Sequence, residues 1–205
     1  MKDNIPAITK IRYTQYLRAL YELKERGNER ILSYQIGSMV EVSASTVRKD
    51  FMYLNYIGKS AYGYNINDLI KALEAEIGLT KKEKIILIGA GSLGHALIKY
   101  NFNSHKIGKI VAAFDCDKTK IGTKIYGVTV HDISKIKRKI PKDTKIAILT
   151  VPKEEVDPII NTLISLNVEA IINFSDAIPR RRKKIKIYSI DLVEIISKAI
   201  YDFKK

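Results

Sequence analysis

The run Lys84-Ile85-Ile86-Leu87-Ile88-Gly89-Ala90-Gly91-Ser92-Leu93-Gly94 passes from a short apolar strand through Gly-x-Gly-x-x-Gly into a helical pattern. Few arrangements restrict a chain as much. The first glycine permits a tight turn, the second lets the backbone approach a pyrophosphate, and the third lets the helix pack closely on the strand. The N–H groups and positive dipole end of that helix then face the phosphates. A second strand, Lys109-Ile110-Val111-Ala112-Ala113-Phe114, ends at Asp115, 21 residues after Gly94. A carboxylate there can accept from both hydroxyls of an adenosine ribose and repels a 2′-phosphate, so the pattern predicts NAD rather than NADP. A glycine turn that serves only packing is the competing reading.

A chain of 205 residues can bury one large core or two small ones. The pattern favours two. Residues 1–80 carry no long strand, whereas from Lys84 onward β-branched runs alternate with helical patterns, the signature of an α/β domain with a parallel sheet. The segment Gly78-Leu79-Thr80-Lys81-Lys82-Glu83 is the natural joint. No apolar run approaches the length of a membrane span and no signal peptide opens the sequence, which predicts a cytoplasmic protein without a membrane partner. The lone Cys116 supports no disulfide framework, and a small residue at a strand end accounts for it more simply than a redox role. No group with metal-ligand spacing stands out.

The net charge of +14 is unevenly spread, +2 in residues 1–80 and +12 in residues 81–205. A global excess attracts polyanions weakly but places no nucleic-acid site. Much of it lies in Arg180-Arg181-Arg182-Lys183-Lys184-Ile185-Lys186, which follows Pro179 and reads as a solvated loop or an auxiliary phosphate contact.

In the first domain Ile8, Ile11, Tyr16, Leu17, Leu20 and Leu23 recur at helical spacing up to Gly27, predicting an amphipathic helix. Ser33 is placed to cap a short helix bearing Ile36, Met39 and Val40. Ser43 is placed to cap a third helix from Ala44 to about Tyr53, with Val47, Phe51 and Leu54 inward. Two short helices joined by a tight turn make a helix-turn-helix candidate. On the third helix Ser45, Arg48, Lys49 and Met52 share the outer face, as a major-groove reader requires. The segment from Asn55 to Ile66, with aromatic residues around Gly58-Lys59-Ser60, predicts a small hairpin that could bring Lys59 to DNA. Pattern alone leaves a DNA-reading face and a merely solvated basic face both open.

Several segments in order resemble the Rex family of redox-sensing transcriptional repressors. They are Ser45-Thr46-Val47-Arg48-Lys49-Asp50-Phe51-Met52-Tyr53, Gly58-Lys59, Tyr62-Gly63-Tyr64, Gly89-Ala90-Gly91-Ser92-Leu93-Gly94, Ala113-Phe114-Asp115, Ile148-Leu149-Thr150-Val151-Pro152, Ile172-Asn173-Phe174 and Ile190-Asp191-Leu192. The resemblance covers nearly the whole chain. It implies a homodimer of subunits with a winged-helix DNA-binding domain (1–80), a Rossmann NAD(H)-binding domain (81–190) and a C-terminal helix (191–205) swapped onto the partner. It further implies a repressor, not an enzyme, released from operator DNA by NADH and compatible with NAD+.

Carried onto this sequence, the resemblance assigns Ser45, Arg48, Lys49 and Lys59 to DNA. It assigns Gly89, Ala90, Gly91, Ser92, Leu93, Gly94, Asp115, Tyr100, Thr150, Val151, Pro152, Asn173 and Phe174 to the cofactor, the last five lining its nicotinamide half. Tyr100, Asp191 and Arg18 match a three-member hydrogen-bond exchange, a two-state element that a ligand can bias. Read without the family, Tyr100 is a helix-end core residue, Asp191 the cap of the last helix and Arg18 a solvated side chain. The departures are Ser60 and Ala61 at the hairpin tip, where the family shows an arginine and a glycine, Ser175-Asp176 for its Ala-Pro, and Leu192 for a phenylalanine.

The last helix carries Leu192, Val193, Ile195, Ile196, Ala199, Ile200 and Phe203, a wider apolar arc than one neighbour covers. Burial between two subunits fits it; packing on its own sheet is the alternative. Two other functions remain in view: an NAD-dependent oxidoreductase, and a winged-helix regulator responding to coenzyme A or another adenine nucleotide. The oxidoreductase needs a proton-transfer residue beside the nicotinamide. The histidines are poorly placed for it, with His95 after the glycine loop, His105 before the second strand and His131 at the start of a helix.

Overall fold

The computed structural model describes residues 5–54, 62–79, 83–104, 108–180 and 182–204, the side chains of 102–104 excepted. It divides the chain into two compact units, 1–81 and 82–205.

In the first unit helix α1 (Ala7–Glu25) runs into Arg26 and Gly27, where positive φ ends it. A two-residue strand β1 (Arg30–Ile31) follows, then α2 (Ser33–Met39), α3 (Ala44–Met52), strand β2 (Tyr64–Asn65) and α4 (Ile66–Ile77). Leu32, not Ser33, is the residue before α2, because the Gln35 side chain reaches back to accept the Leu32 N–H at 2.8 Å. Ser43 caps α3 as its position predicts, accepting from the Thr46 N–H at 3.1 Å. A Cβ at Gly37 would come within 2.4 Å of the Val42 carbonyl, so α2 and the turn before α3 can approach only through glycine. The strand at Tyr64–Asn65 pairs antiparallel with Arg30–Ile31, ahead of α2. The remainder of the expected hairpin, with Lys59, Ser60 and Ala61, lies outside the described residues.

Leu17 and Leu20 of α1, Ile36 of α2, Val47 and Phe51 of α3, and Ile66, Leu69 and Leu73 of α4 form one core. The Phe51 ring meets Tyr16 and Tyr64 edge-on at 5.3 and 5.1 Å. The inward face of α1 departs from expectation. Ile8 and Ile11 are exposed, and Thr9 and Tyr13 join the expected Tyr16, Leu17 and Leu20 inside. Thr9, Tyr13 and Tyr16 face a buried aspartate, which an aliphatic side chain could not satisfy.

The second unit is built on strands β3 (Glu83–Ile88), β4 (Gly108–Asp115), β5 (Lys124–Ile125), β6 (Val128–Asp132), β7 (Ile146–Leu149), β8 (Ala170–Asn173) and β9 (Lys186–Ser189). Their order is β5-β6-β4-β3-β7-β8-β9, all parallel except the β5–β6 hairpin pair. Leaving β5 aside, this is the 3-2-1-4-5-6 order of a dinucleotide-binding sheet, whose direction of winding reverses between β3 and β7. Helices α5 (Ser92–Ser104), α6 (Ile136–Lys139) and α7 (Lys153–Ser165) connect the strands. Alternate residues of β3 supply two cores: Ile86 and Ile88 join Val156, Ile160 and Leu163 of α7, while Ile85 and Leu87 join Ile98 of α5. Burial on both faces explains why these strands read as unbroken apolar runs. His131 lies in β6, with its ring 5.7 Å from Phe114, and does not begin a helix.

Helix α8 (Leu192–Phe203) closes the chain with every residue exposed, Val193, Ile195, Ile196 and Phe203 included. Packing on its own sheet is therefore not how its apolar arc is covered. No helix among the described residues is long and apolar enough to cross a membrane.

Candidate functional site

The reversal between β3 and β7 opens a crevice at the strands' C-terminal ends, where open α/β sheets bind ligands. Its floor is the glycine loop. Gly89 has φ +97°, and a Cβ there would meet the Thr150 carbonyl at 2.6 Å; the tight turn is available only to glycine. At Gly94 a Cβ would lie 2.1 Å from the Gly89 carbonyl, the close helix–strand approach the pattern predicts. At Gly91 nothing lies within 4 Å of a Cβ. Packing does not require glycine there, but a phosphate resting on the backbone does. Helix α5 begins at Ser92, beside that space, and the first N–H groups of a helix find no partner within it. Gly89, Ala90, Gly91, Ser92, Leu93 and Gly94 thus fit a pyrophosphate.

Asp115 ends β4 and is 8% exposed. Its Oδ2 accepts the Ala90 N–H at 2.7 Å and the Lys120 ammonium at 3.3 Å; its Oδ1 accepts the Asp117 N–H at 2.9 Å. Burial pushes its carboxyl up, but the two N–H donors and Lys120 more than offset this and hold it below the usual carboxylate range. Burial likewise pulls Lys120 down, and Asp115 and Asp117 outweigh it, holding the ammonium above its ordinary value. Both members are therefore charged. Cys116, between the two aspartates, is exposed.

On the other side of the crevice the Thr150 hydroxyl donates to the Gly89 carbonyl at 2.7 Å, tying the end of β7 to the glycine loop. Pro152 precedes α7 and is exposed, whereas Val151 and Phe174 pack partly into the two cores. Asn173 is 0% exposed, and its own loop consumes its amide. Its nitrogen donates to the Ser175 and Ala177 carbonyls, and its oxygen accepts the Ser175 N–H and hydroxyl, the latter at 2.7 Å. The side chain shapes the wall without presenting a free group to it. Ser175 is thereby explained, because its hydroxyl supplies a bond that alanine cannot, while Asp176 is exposed.

In the first unit Ser45, Arg48, Lys49 and Met52 all lie on the exposed face of α3. Arg48 donates to the Ser33 hydroxyl at 3.1 Å, which draws its guanidinium toward the start of α2. Beneath that face sits Asp50, 3% exposed, which the sequence reading passed over. It accepts from Thr9 at 3.0 Å, from Arg12 at 2.6 and 2.7 Å and from Tyr16 at 2.7 Å, while Tyr13 donates to its carbonyl at 2.8 Å. Burial pushes this carboxyl up, yet Arg12, Tyr16 and Thr9 hold it below the usual range. A signal was present: Thr9, Arg12, Tyr13 and Tyr16 stand at i, i+3, i+4 and i+7, a polar stripe on α1 calling for a charged partner.

Of the three switch candidates Arg18 belongs to the first unit, Tyr100 and Asp191 to the second. Arg18 is exposed and lines a groove of about 400 Å³ with Gln15, Glu22, Met39 and Glu41. Tyr100 is exposed, not part of a core. Asp191 caps α8, its Oδ1 accepting from Val193 at 2.8 Å and Glu194 at 3.2 Å, and no hydrogen bond joins it to Tyr100 among the described residues.

The chain is similar to known proteins along nearly its whole length. A family described as "CoA binding domain" matches residues 80–177, and one described as "Putative DNA-binding protein N-terminus" matches residues 4–51. The redox-sensing transcriptional repressor Rex of Halalkalibacterium halodurans is 35% identical over 200 residues, 98% of this chain and 95% of its own. That of Bacillus subtilis is 34% identical over 203 residues, 99% and 94% of the two chains. Among solved structures, RSP, a Rex-family repressor, in complex with β-NAD+ and operator DNA superposes with TM-score 0.85 at 29% identity, covering 98% of this chain and 94% of that one. RSP with β-NADH gives 0.82 at 28% identity, covering 98% and 95%.

Proposed function

The chain belongs to the Rex family of redox-sensing transcriptional repressors, and from that premise we propose that it represses transcription as a homodimer on operator DNA and is released by NADH, but not by NAD+. The observation that carries this reading is that one chain holds both halves of such a device. An exposed polar face on α3 is backed by a buried anchor, and a dinucleotide crevice has open space over Gly91 and a charged acid at the ribose end.

When bound, the nicotinamide cofactor supplies the redox-dependent charge and shape that the two domains read. The chain's own residues do the rest. The first turn of α5 donates N–H groups to the pyrophosphate, and Asp115 accepts from the adenosine ribose. Thr150, Val151, Pro152, Asn173 and Phe174 form the wall of the nicotinamide half, with Thr150 and Asn173 acting through the loops they fix. Ser45, Arg48 and Lys49 read operator DNA, with Lys59 from the hairpin. Helix α8, apolar and exposed in one chain, is covered by the partner subunit, where Asp191 meets Tyr100 or Arg18 according to cofactor state, its Oδ2 being unengaged among the described residues. A protein acting on operator DNA works in the compartment that holds it, the cytoplasm.

The match to a coenzyme A-binding family favours one second reading, response to a different adenine nucleotide. Coenzyme A carries a ribose phosphate, which the charge on Asp115 opposes. Titrating a palindromic operator complex with NADH, NAD+ and coenzyme A separates the two. Release by NADH alone is the expected result, and release by coenzyme A overturns it.

A further inference from the structure

The adenosine-ribose site contains a cation beside its acid. We propose that Lys120 is a specificity-determining residue there: its ammonium, held between Asp115 and Asp117, moderates the exclusion of a 2′-phosphate, so that the site separates NADH from NADPH less sharply than its aspartate alone would. The inference rests on the reading that Asp115 receives the ribose.

The acceptor capacity of Asp115 carries the argument. A carboxylate offers about four acceptor positions. Asp115 already receives the Ala90 N–H and Lys120 on Oδ2 and the Asp117 N–H on Oδ1. A ribose brings two hydroxyl donors to what remains. The two N–H donors belong to the backbone and cannot withdraw, whereas Lys120 has a flexible stem and a side chain 37% exposed. Lys120 is therefore the donor that yields a position to the second hydroxyl.

It does not go far. Its ammonium also lies 3.4 Å from Asp117 Oδ2, and Asp117 is fixed in turn because its Oδ1 accepts the Thr119 N–H at 2.9 Å and the Thr119 hydroxyl at 2.6 Å. The backbone turn that returns the Lys120 N–H to the Asp117 carbonyl at 3.1 Å holds the same geometry. A cation so tethered stays within reach of whatever the ribose carries at its 2′ position. For a hydroxyl it is a competitor on Asp115. For a phosphate it is a counter-ion, opposing the repulsion from Asp115.

Titrating NADH and NADPH into the full chain, followed by dihydronicotinamide fluorescence, tests this. Wild type, Lys120→Met, Lys120→Arg and Asp115→Ala are compared through the ratio of the NADPH to the NADH dissociation constant. Lys120→Met should raise that ratio roughly fivefold, chiefly by weakening NADPH, as loss of a part-exposed ammonium–phosphate pair would. Lys120→Arg, which keeps the charge, should stay within about twofold of wild type on the same grounds. An unchanged or lowered ratio in Lys120→Met overturns the role of Lys120 and leaves the ribose assignment standing. An Asp115→Ala protein that binds both nucleotides as wild type does overturns the ribose assignment, and this proposal with it.

Discussion

Asp50 and Asp115 are both buried, both hydrogen-bonded on each oxygen and both held below the usual carboxylate range, yet their surroundings differ in kind. Asp50 is met by side chains, those of Thr9, Arg12 and Tyr16, all from α1. Asp115 is met by two backbone N–H groups and one lysine that can leave. The first is a closed arrangement whose product is the position of a helix. The second is rigid on its backbone side and exchangeable on its solvent side, as the proposed ribose contact requires. Charge and burial alone do not separate a structural acid from a binding one; the identity of the donors does.

The sharpest way to break that comparison is to remove each acid in turn. Asp50→Ala leaves the Arg12 guanidinium and the Tyr16 hydroxyl without their partner, at a cost of about 3–5 kcal/mol typical of a severed buried pair. Urea unfolding should show that loss and operator binding should fall with it, while NADH binding persists. A change below about 1 kcal/mol would mean that Asp50 is not an anchor. The same pair sets an acid limit. Because the folded carboxyl is depressed, its contribution to stability is complete above the unfolded value near 4 and is lost as pH falls through the lower folded value. Wild type should therefore lose stability on acidification below about pH 4, and Asp50→Asn should lose less over that range.

Asp115→Ala should act on binding instead. NADH affinity is expected to fall by about 1.5–3 kcal/mol, the range for hydrogen bonds to a charged group, with the preference over NADPH narrowed. Unaltered discrimination would remove Asp115 from the site. Smaller again are the changes on the outer face of the helix that Asp50 anchors. Arg48→Ala and Lys49→Ala should each cost roughly 1–3 kcal/mol in operator affinity with unfolding unchanged, the reverse of the stability-first effect at Asp50. Tyr100→Phe should be the mildest, still binding operator but released less readily by NADH, with about 1–2 kcal/mol of coupling lost. A Tyr100→Phe protein that responds like wild type would remove Tyr100 from the switch.

Elements resting on backbone demands were legible in the sequence. The glycine loop, Asp115 at a strand end and Ser43 before α3 each announce a local geometry that no distant residue can change. What escaped depended on tertiary partners. Asp50 sits in a basic, apparently solvated stretch, and only the opposing α1 stripe makes it a buried anchor. Ile8 and Ile11 fit a helical apolar face equally well, yet the polar needs of Asp50 turned that face toward Thr9 and Tyr13. The sequence places Asn173 on the nicotinamide side but does not show the closure of its amide on Ser175 and Ala177, which depends on the fold of the loop after β8. Lys120 carried no motif at all. Its place follows from a turn formed by Asp117 and Thr119, visible only once the chain is folded.

The central claim is that the operator and the dinucleotide act on one equilibrium, and linkage makes it measurable from both ends. NADH affinity is measured for the free protein and for the operator complex, and operator affinity is measured with and without saturating NADH. Thermodynamic reciprocity requires operator DNA to weaken NADH binding by the same factor by which NADH weakens operator binding. The account predicts equal factors of roughly 5–150, the usual span of allosteric coupling, with NAD+ giving a factor much closer to one. Factors of one for NADH in both directions would mean two independent domains in a single chain, and would contradict the account.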